Sequence, residues 1–291
     1  MQRIFASVFL LTVFLVAGFA VFVSAQEGQV LAGLSAGSSA DYYHRLIGVI
    51  TGNWQEYGQL FTTLQGEWFW KIFLAIIVAV PGAFLLHYLI IGAKHFDHGG
   101  EQILFFPLFV RIVHFFAAVS FSLLVITGLM VVMGTFFGGG ALVRSARTVH
   151  LASAIVFVLP CLIMFVMWLK DMLPQLHDIG WMIILGGYLS KEKKPVPAGK
   201  FNAGQKMYFW FATLGGGVMA YTGYITWGMG ADLDTVRLYV IIHNFLGMAI
   251  VAFYLTHVYM SVFAIAGSLQ SMKTGYKPQE EVDILHSRYE Y

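Results

Sequence analysis

The chain has 291 residues, of which 58% are hydrophobic and 11% charged, with a mean hydropathy of +0.74. A water-soluble domain of this length cannot hide so much apolar surface, so the bilayer is the expected solvent. The net charge of +2 gives no reason to expect nucleic acid, and the single cysteine, Cys161, excludes an internal disulfide, a Cys-rich iron–sulfur site and a C-x-x-C-H haem attachment within the chain.

Six apolar segments reach the ~20 residues that a membrane helix needs. They lie near residues 4–24, 69–92, 109–133, 150–169, 208–229 and 238–266. The first opens Met-Gln-Arg and ends Val-Phe-Val-Ser-Ala before Gln26, the pattern of a signal peptide. Its apolar stretch exceeds the usual ~7–15 residues, which fits an uncleaved anchor instead. Residues 1–25 are therefore read as a signal peptide or membrane anchor, and 26–68 as an extracytoplasmic segment. Residues 69–108 read as an extra transmembrane helix with its loop, 109–270 as a four-helix domain and 271–291 as a cytoplasmic tail. The expected fold is an all-α integral membrane bundle.

Orientation follows from Lys and Arg near the helix ends. Lys170, Lys191, Lys193, Lys194, Lys200 and Lys206 between 170 and 206, Lys273, Lys277 and Arg288 in the tail, and Lys94 and Arg111 in loop 93–111 mark the cytoplasmic side. Loop 134–148, with Arg144 and Arg147, and the connection 230–237, with Arg237, are expected to face outward.

Four of the ten histidines fall inside expected spans: His114, His150, His243 and His257. On this topology His114 and His257 lie toward the cytoplasm, and His150 and His243 toward the outside. Fourteen residues separate His243 from His257. That is close to four helical turns, about 21 Å along one face. Facing imidazoles projecting into a bundle are how a helical protein holds a bis-histidine haem b, so the pattern predicts two haems stacked across the membrane. Arg111 and Arg147 each precede a histidine by three residues, one turn nearer the interface, where haem propionates would lie. Anchoring at the interface is the alternative role for both. His87, His95, His98, His44, His177 and His286 read as solvated or interfacial, with His87 placed to serve a proton route.

Residues 109–275 resemble the gamma subunit of membrane-bound respiratory formate dehydrogenase, a dihaem cytochrome b. The matching stretches are RIVH at 111–114, RTVH at 147–150, KFNAGQKMYFW at 200–210, IIHNFLG at 241–247 and LTHVYM at 255–260. The resemblance implies His114 and His257 on the inner haem iron, His150 and His243 on the outer one, and quinone reduction near Asn202, Gly204 and Gln205. It further implies an iron–sulfur beta subunit and a molybdenum- or tungsten-containing alpha subunit on the periplasmic side of the bacterial inner membrane, with a higher oligomer of that heterotrimer as an option. Asn202 capping a helix and Lys206 snorkelling to the interface are the bland readings of the same stretch. The same scaffold serving a hydrogenase or a thiosulfate reductase stays open, as does a haem-free anchor or transporter with proton-relaying histidines.

Overall fold

The computed structural model describes residues 17–18, 57–228 and 231–291. The expectations for the leader, and for residues 26–56, lie outside the described residues.

The first long helix, α1, runs Gln59–Ile90 and includes a π-helical turn at Leu64–Trp68. A short strand, β1 (Gln102–Leu104), precedes α2 (Leu108–Val132) and α3 (Gly140–Trp168). Next comes a short helix, α4 (Leu176–Ile183). Helix α5 spans residues 203–228, as Ala203–Trp210, a π-helical turn Phe211–Gly215, and Gly216–Gly228. Helix α6 (Leu233–Val262), α7 (Leu269–Thr274), β2 (Tyr276–Pro278) and α8 (Gln279–Leu285) complete the chain. Four of these helices, α1, α2, α3 and α6, are long and apolar enough to cross a membrane. In lipid every backbone N–H and C=O must be satisfied within the chain, which an apolar sequence of this kind does as helix.

Several helices outrun their apolar windows. Helix α1 begins ten residues before the expected 69, inside the segment read as extracytoplasmic. Helix α3 begins at Gly140, so Arg144 and Arg147 stand on the helix and not in a 134–148 loop. The real turn is made by Gly138, Gly139 and Gly140, with φ of +73°, +62° and +63°, a conformation that glycine adopts without steric cost. Helix α6 begins at Leu233, capped by the Asp232 side chain accepting from Thr235 N–H at 2.9 Å. Arg237 is consequently helical and buried, paired with Asp234 at 2.8 Å.

Helices α2 and α3 pack together, while α6 lies against both α1 and α5. Their shared interior is filled by Phe69, Phe73, Phe121, Val125, Phe157, Met248 and Val251, among others.

The end of the bundle that carries the loops is closed by a folded cap. Strands β1 and β2 pair antiparallel, Gln102 opposite Pro278 and Leu104 opposite Tyr276. The segment read as a tail is folded: α8 buries Val282 and Leu285 against two apolar clusters that include Phe105, Phe201, Trp181 and Val196. Lys94, read as a marker of the cytoplasmic side, is buried, its Nζ donating to the carbonyls of Ser190 at 2.9 Å and Glu192 at 3.0 Å. Burial lowers its pKa. His286, read as solvated, is only 3% exposed, and its Nδ1 lies 2.9 Å from the Gly199 carbonyl. Burial, with Lys277 nearby, pushes its pKa down to about 3. Lys277 itself is buried in an ion pair with Glu281.

Candidate functional site

The four intramembrane histidines form two pairs. His114 lies six residues into α2, and His257 five residues before the end of α6, both near the capped end. Their ring centroids are 6.2 Å apart. His150 and His243 each lie ten residues into their helices, α3 and α6, from the opposite end. Their centroids are 6.3 Å apart.

These separations can be compared with a metal bridge. A metal–imidazole bond is about 2 Å, as at zinc, and the ring centre lies roughly 1.1 Å behind the nitrogen, so two imidazoles on opposite sides of one ion have centroids about 6.2 Å apart. Both pairs match that spacing. Direct N–H···N contact would draw the rings closer. The residues present therefore fit bis-imidazole ligation at two levels. Between the levels sits an aromatic layer: Phe121 packs on Phe157 at 5.2 Å and on Tyr254 at 5.6 Å between ring centres.

Each His150/His243 ring is held from behind. Thr127 Oγ1 lies 3.0 Å from His150 Nδ1, and Thr222 Oγ1 lies 2.8 Å from His243 Nδ1. The sequence reading missed both threonines. A Thr-Gly dipeptide inside each of two apolar helices was the available signal. His257 has a different neighbour: the Tyr208 ring stacks on it, centroids 4.4 Å apart and planes 13° from parallel.

Asn202, Gly204 and Gln205 come together at the start of α5 near the capped end. Asn202 Oδ1 accepts from Gln205 N–H and Gln205 Oε1 accepts from Asn202 N–H, both at 2.9 Å. This capping box fixes the amide orientations and leaves both side-chain NH₂ groups available as donors. The capping expected of Asn202 is thus present. Lys206 does not snorkel. It is buried, with Nζ 2.8 and 3.1 Å from the two carboxylate oxygens of Asp178 on α4. Gly204 lets α4 approach closely: a Cβ there would stand 2.9 Å from Trp181. Tyr208, one turn beyond Gly204, links this turn to the His257 ring.

Arg111 and Arg147 each stand one turn from a histidine, but both guanidiniums have partners. Arg111 is buried and its Nη1 donates to the Lys273 carbonyl at 2.6 Å. Arg147 lies 4.5 Å over the Trp227 ring. His87 uses both ring nitrogens, at 2.6 Å from the Tyr259 hydroxyl and 2.8 Å from the Tyr188 carbonyl, locking the C-terminal end of α1 to the bundle.

Comparison with known proteins points the same way. The chain is 31% identical, over 137 residues, to the cytochrome b556(Fdn) subunit of the nitrate-inducible formate dehydrogenase of Escherichia coli strain K12. That stretch is 45% of this chain and spans 63% of the relative's length. The cytochrome b556(fdo) subunit of formate dehydrogenase from the same organism is 24% identical over 193 residues, covering 62% of this chain and 87% of that protein. The cytochrome b556 subunit of formate dehydrogenase from Haemophilus influenzae is 23% identical over 174 residues, 57% of this chain and 73% of the relative. The model of a family described as prokaryotic cytochrome b561 matches residues 105–275, more than half of the chain. That range takes in both histidine pairs, the two Thr-Gly dipeptides and the Asn202 turn, and the chain belongs to the prokaryotic cytochrome b561 family.

Proposed function

We propose that this chain is the membrane cytochrome b subunit of a formate dehydrogenase complex, with His114 and His257 holding one haem b and His150 and His243 a second. The observation that carries the reading is the two facing imidazole pairs, at 6.2 and 6.3 Å, drawn from three helices at two depths. When bound, each haem would supply a one-electron Fe(III)/Fe(II) couple, and the two together would link a donor outside the membrane to quinone near the cytoplasmic surface.

The chain's own residues account for the rest. Phe121, Phe157 and their neighbours keep water from the space between the levels, which holds the local dielectric low. Arg147, one turn from His150, suits a propionate, while Arg111 is already bound to the Lys273 carbonyl. At the capped end, read as cytoplasmic from its lysines, the free NH₂ groups of Asn202 and Gln205 would donate to a quinone carbonyl. Gly204, whose Cβ position is taken by Trp181, lets α4 pack on this turn and hold its amides in place. Quinone takes up two electrons and two protons to become quinol. With protons drawn from the cytoplasm and electrons from the outside, the reaction is electrogenic. Formate oxidation, and the iron–sulfur and molybdenum or tungsten chemistry it needs, belongs to partner subunits in this reading; the similar bacterial proteins are named as cytochrome b556 subunits of formate dehydrogenases.

Purification from the native membrane tests the proposal. Reduced-minus-oxidised spectra should show b-type haem, and iron–sulfur and formate-oxidising subunits should co-purify. Replacing His257 should remove the inner haem and quinone reduction together. A colourless preparation would end the reading, and co-purification of a hydrogenase or a thiosulfate reductase would replace the formate partner.

A further inference from the structure

Two Thr-Gly dipeptides, Thr127-Gly128 on α2 and Thr222-Gly223 on α5, stand behind the His150/His243 pair, one behind each ring. Thr127 Oγ1 is 3.0 Å from His150 Nδ1 and Thr222 Oγ1 is 2.8 Å from His243 Nδ1. Each hydroxyl already donates its proton along its own helix, Thr127 to the Leu123 carbonyl at 2.6 Å and Thr222 to the Val218 carbonyl at 2.9 Å. A hydroxyl has one proton, so toward the imidazole its oxygen can only accept. Nδ1 therefore carries hydrogen in both rings, and the lone pair is left on Nε2, the nitrogen available to iron. Both threonines are buried, which strengthens these hydrogen bonds. Gly128 leaves space for its ring, since a Cβ there would lie 3.2 Å from His150 Cε1, while a Cβ at 223 would make an ordinary contact with His243 at 3.6 Å.

The His114/His257 pair is built differently. Among the described residues no hydroxyl holds either ring, and His257 stacks on Tyr208 instead.

We propose that Thr127 and Thr222 are positioning residues that lower the midpoint potential of the outer haem relative to the inner one. The inference rests on the two-haem reading above. An Nδ1–H donated to an oxygen acceptor gives the imidazole partial imidazolate character, making it a stronger donor to iron. A stronger donor favours Fe(III) over Fe(II), and hydrogen bonding around the axial ligand is one of the means by which a protein sets a haem potential. The hydrogen bonds occur at one level only, so the electron is favoured at the other, beside Tyr208 and the Asn202 turn.

The test uses the complete complex carrying Thr127→Val or Thr222→Val, which removes the hydroxyl at nearly constant volume, alongside Thr127→Ser and Thr222→Ser, which keep it. Optical redox titration gives both midpoints, and His243→Ala identifies the outer component. Each valine variant should raise the outer midpoint by on the order of a tenfold change in Fe(III)/Fe(II) preference, about 59 mV for one electron. The inner midpoint should stay where it is, and serine should restore the wild-type value. Loss of the outer haem with valine but not with serine also supports the inference, because the hydroxyl then holds the ligand in place. It is overturned by an unmoved outer midpoint with both haems bound, by equal movement of both, or by failure of serine to restore. Fewer than two b-type haems in the unaltered complex would instead refute the two-haem reading.

Discussion

The ion pair between Lys206 and Asp178 offers a quantitative test of how the capped end is held together. Lys206 Nζ sits 2.8 and 3.1 Å from the two carboxylate oxygens, and the two side chains are only 6% and 11% exposed. Asp178 Oδ2 also accepts the Gln175 N–H at 2.7 Å, so the carboxylate caps α4 while gripping α5. Lys206→Met leaves this carboxylate buried with its cation gone. Breaking a buried pair from one side costs about 3–5 kcal/mol, whereas replacing both partners by apolar groups is often close to neutral. Lys206→Met should therefore destabilise the cap by about 3–5 kcal/mol, and adding Asp178→Leu should recover most of that loss, less the ~1 kcal/mol of the lost cap. Hydrogen exchange of the α4 and α5 amides in detergent reads the difference directly. The Asn202–Gln205 turn is the first turn of the same helix, so under the proposed function quinone reduction should fall in the single variant while haem content stays unchanged. A single variant within 1 kcal/mol of wild type, or a double variant worse than the single, would refute the reasoning, since an exposed pair is worth only about 0–1 kcal/mol.

Further outcomes follow from the cap. Gly275 has φ of +96°, and a Cβ there would stand 2.6 Å from the Phe106 carbonyl; its own carbonyl accepts from Phe105 N–H and Phe106 N–H. Gly275→Ala should cost at least 1–3 kcal/mol of backbone strain and be seen as faster proteolysis of the cap, whereas wild-type protection would contradict it. His286 is neutral when folded, with its pKa depressed from 6.5 to about 3, so its contribution is complete above pH 6.5 and is lost as pH falls toward 3. Cap protection should weaken by about 1.4 kcal/mol per pH unit below 6.5 within that window, and His286→Gln should flatten the profile. A wild-type profile that is already flat between pH 7 and 5 would show that His286 is not buried as described.

The membrane part of this fold was legible because lipid allows few alternatives. Apolar runs must be helices. The histidine pairs were legible for the same reason: spacing on a helix fixes depth and face, and His243 and His257 share both a helix and a side. Helix ends were read less well. Residues 140–149 and 59–68 contain arginines, glycines or glutamines that a hydropathy window rejects, while the backbone hydrogen bonds continue through them. The cap was not legible at all. Its strands are three residues long and separated by more than 170 residues, and Lys94, Lys277 and His286 looked like solvated charges because only tertiary contacts bury them. Thr127 and Thr222 were missed for a subtler reason. Threonine in an apolar helix commonly bonds only its own backbone, as these two also do, and the second bond to a histidine appears only once neighbouring helices are packed.

The most direct measurement is the pyridine haemochrome stoichiometry of the purified complex, taken for wild type and for variants lacking one histidine from each pair. Two haems per chain are expected, falling to one in His257→Ala and to one, of the other spectral component, in His243→Ala. A wild-type ratio of one or less, or a ratio of two that survives both substitutions, would contradict the assignment of these four imidazoles to iron.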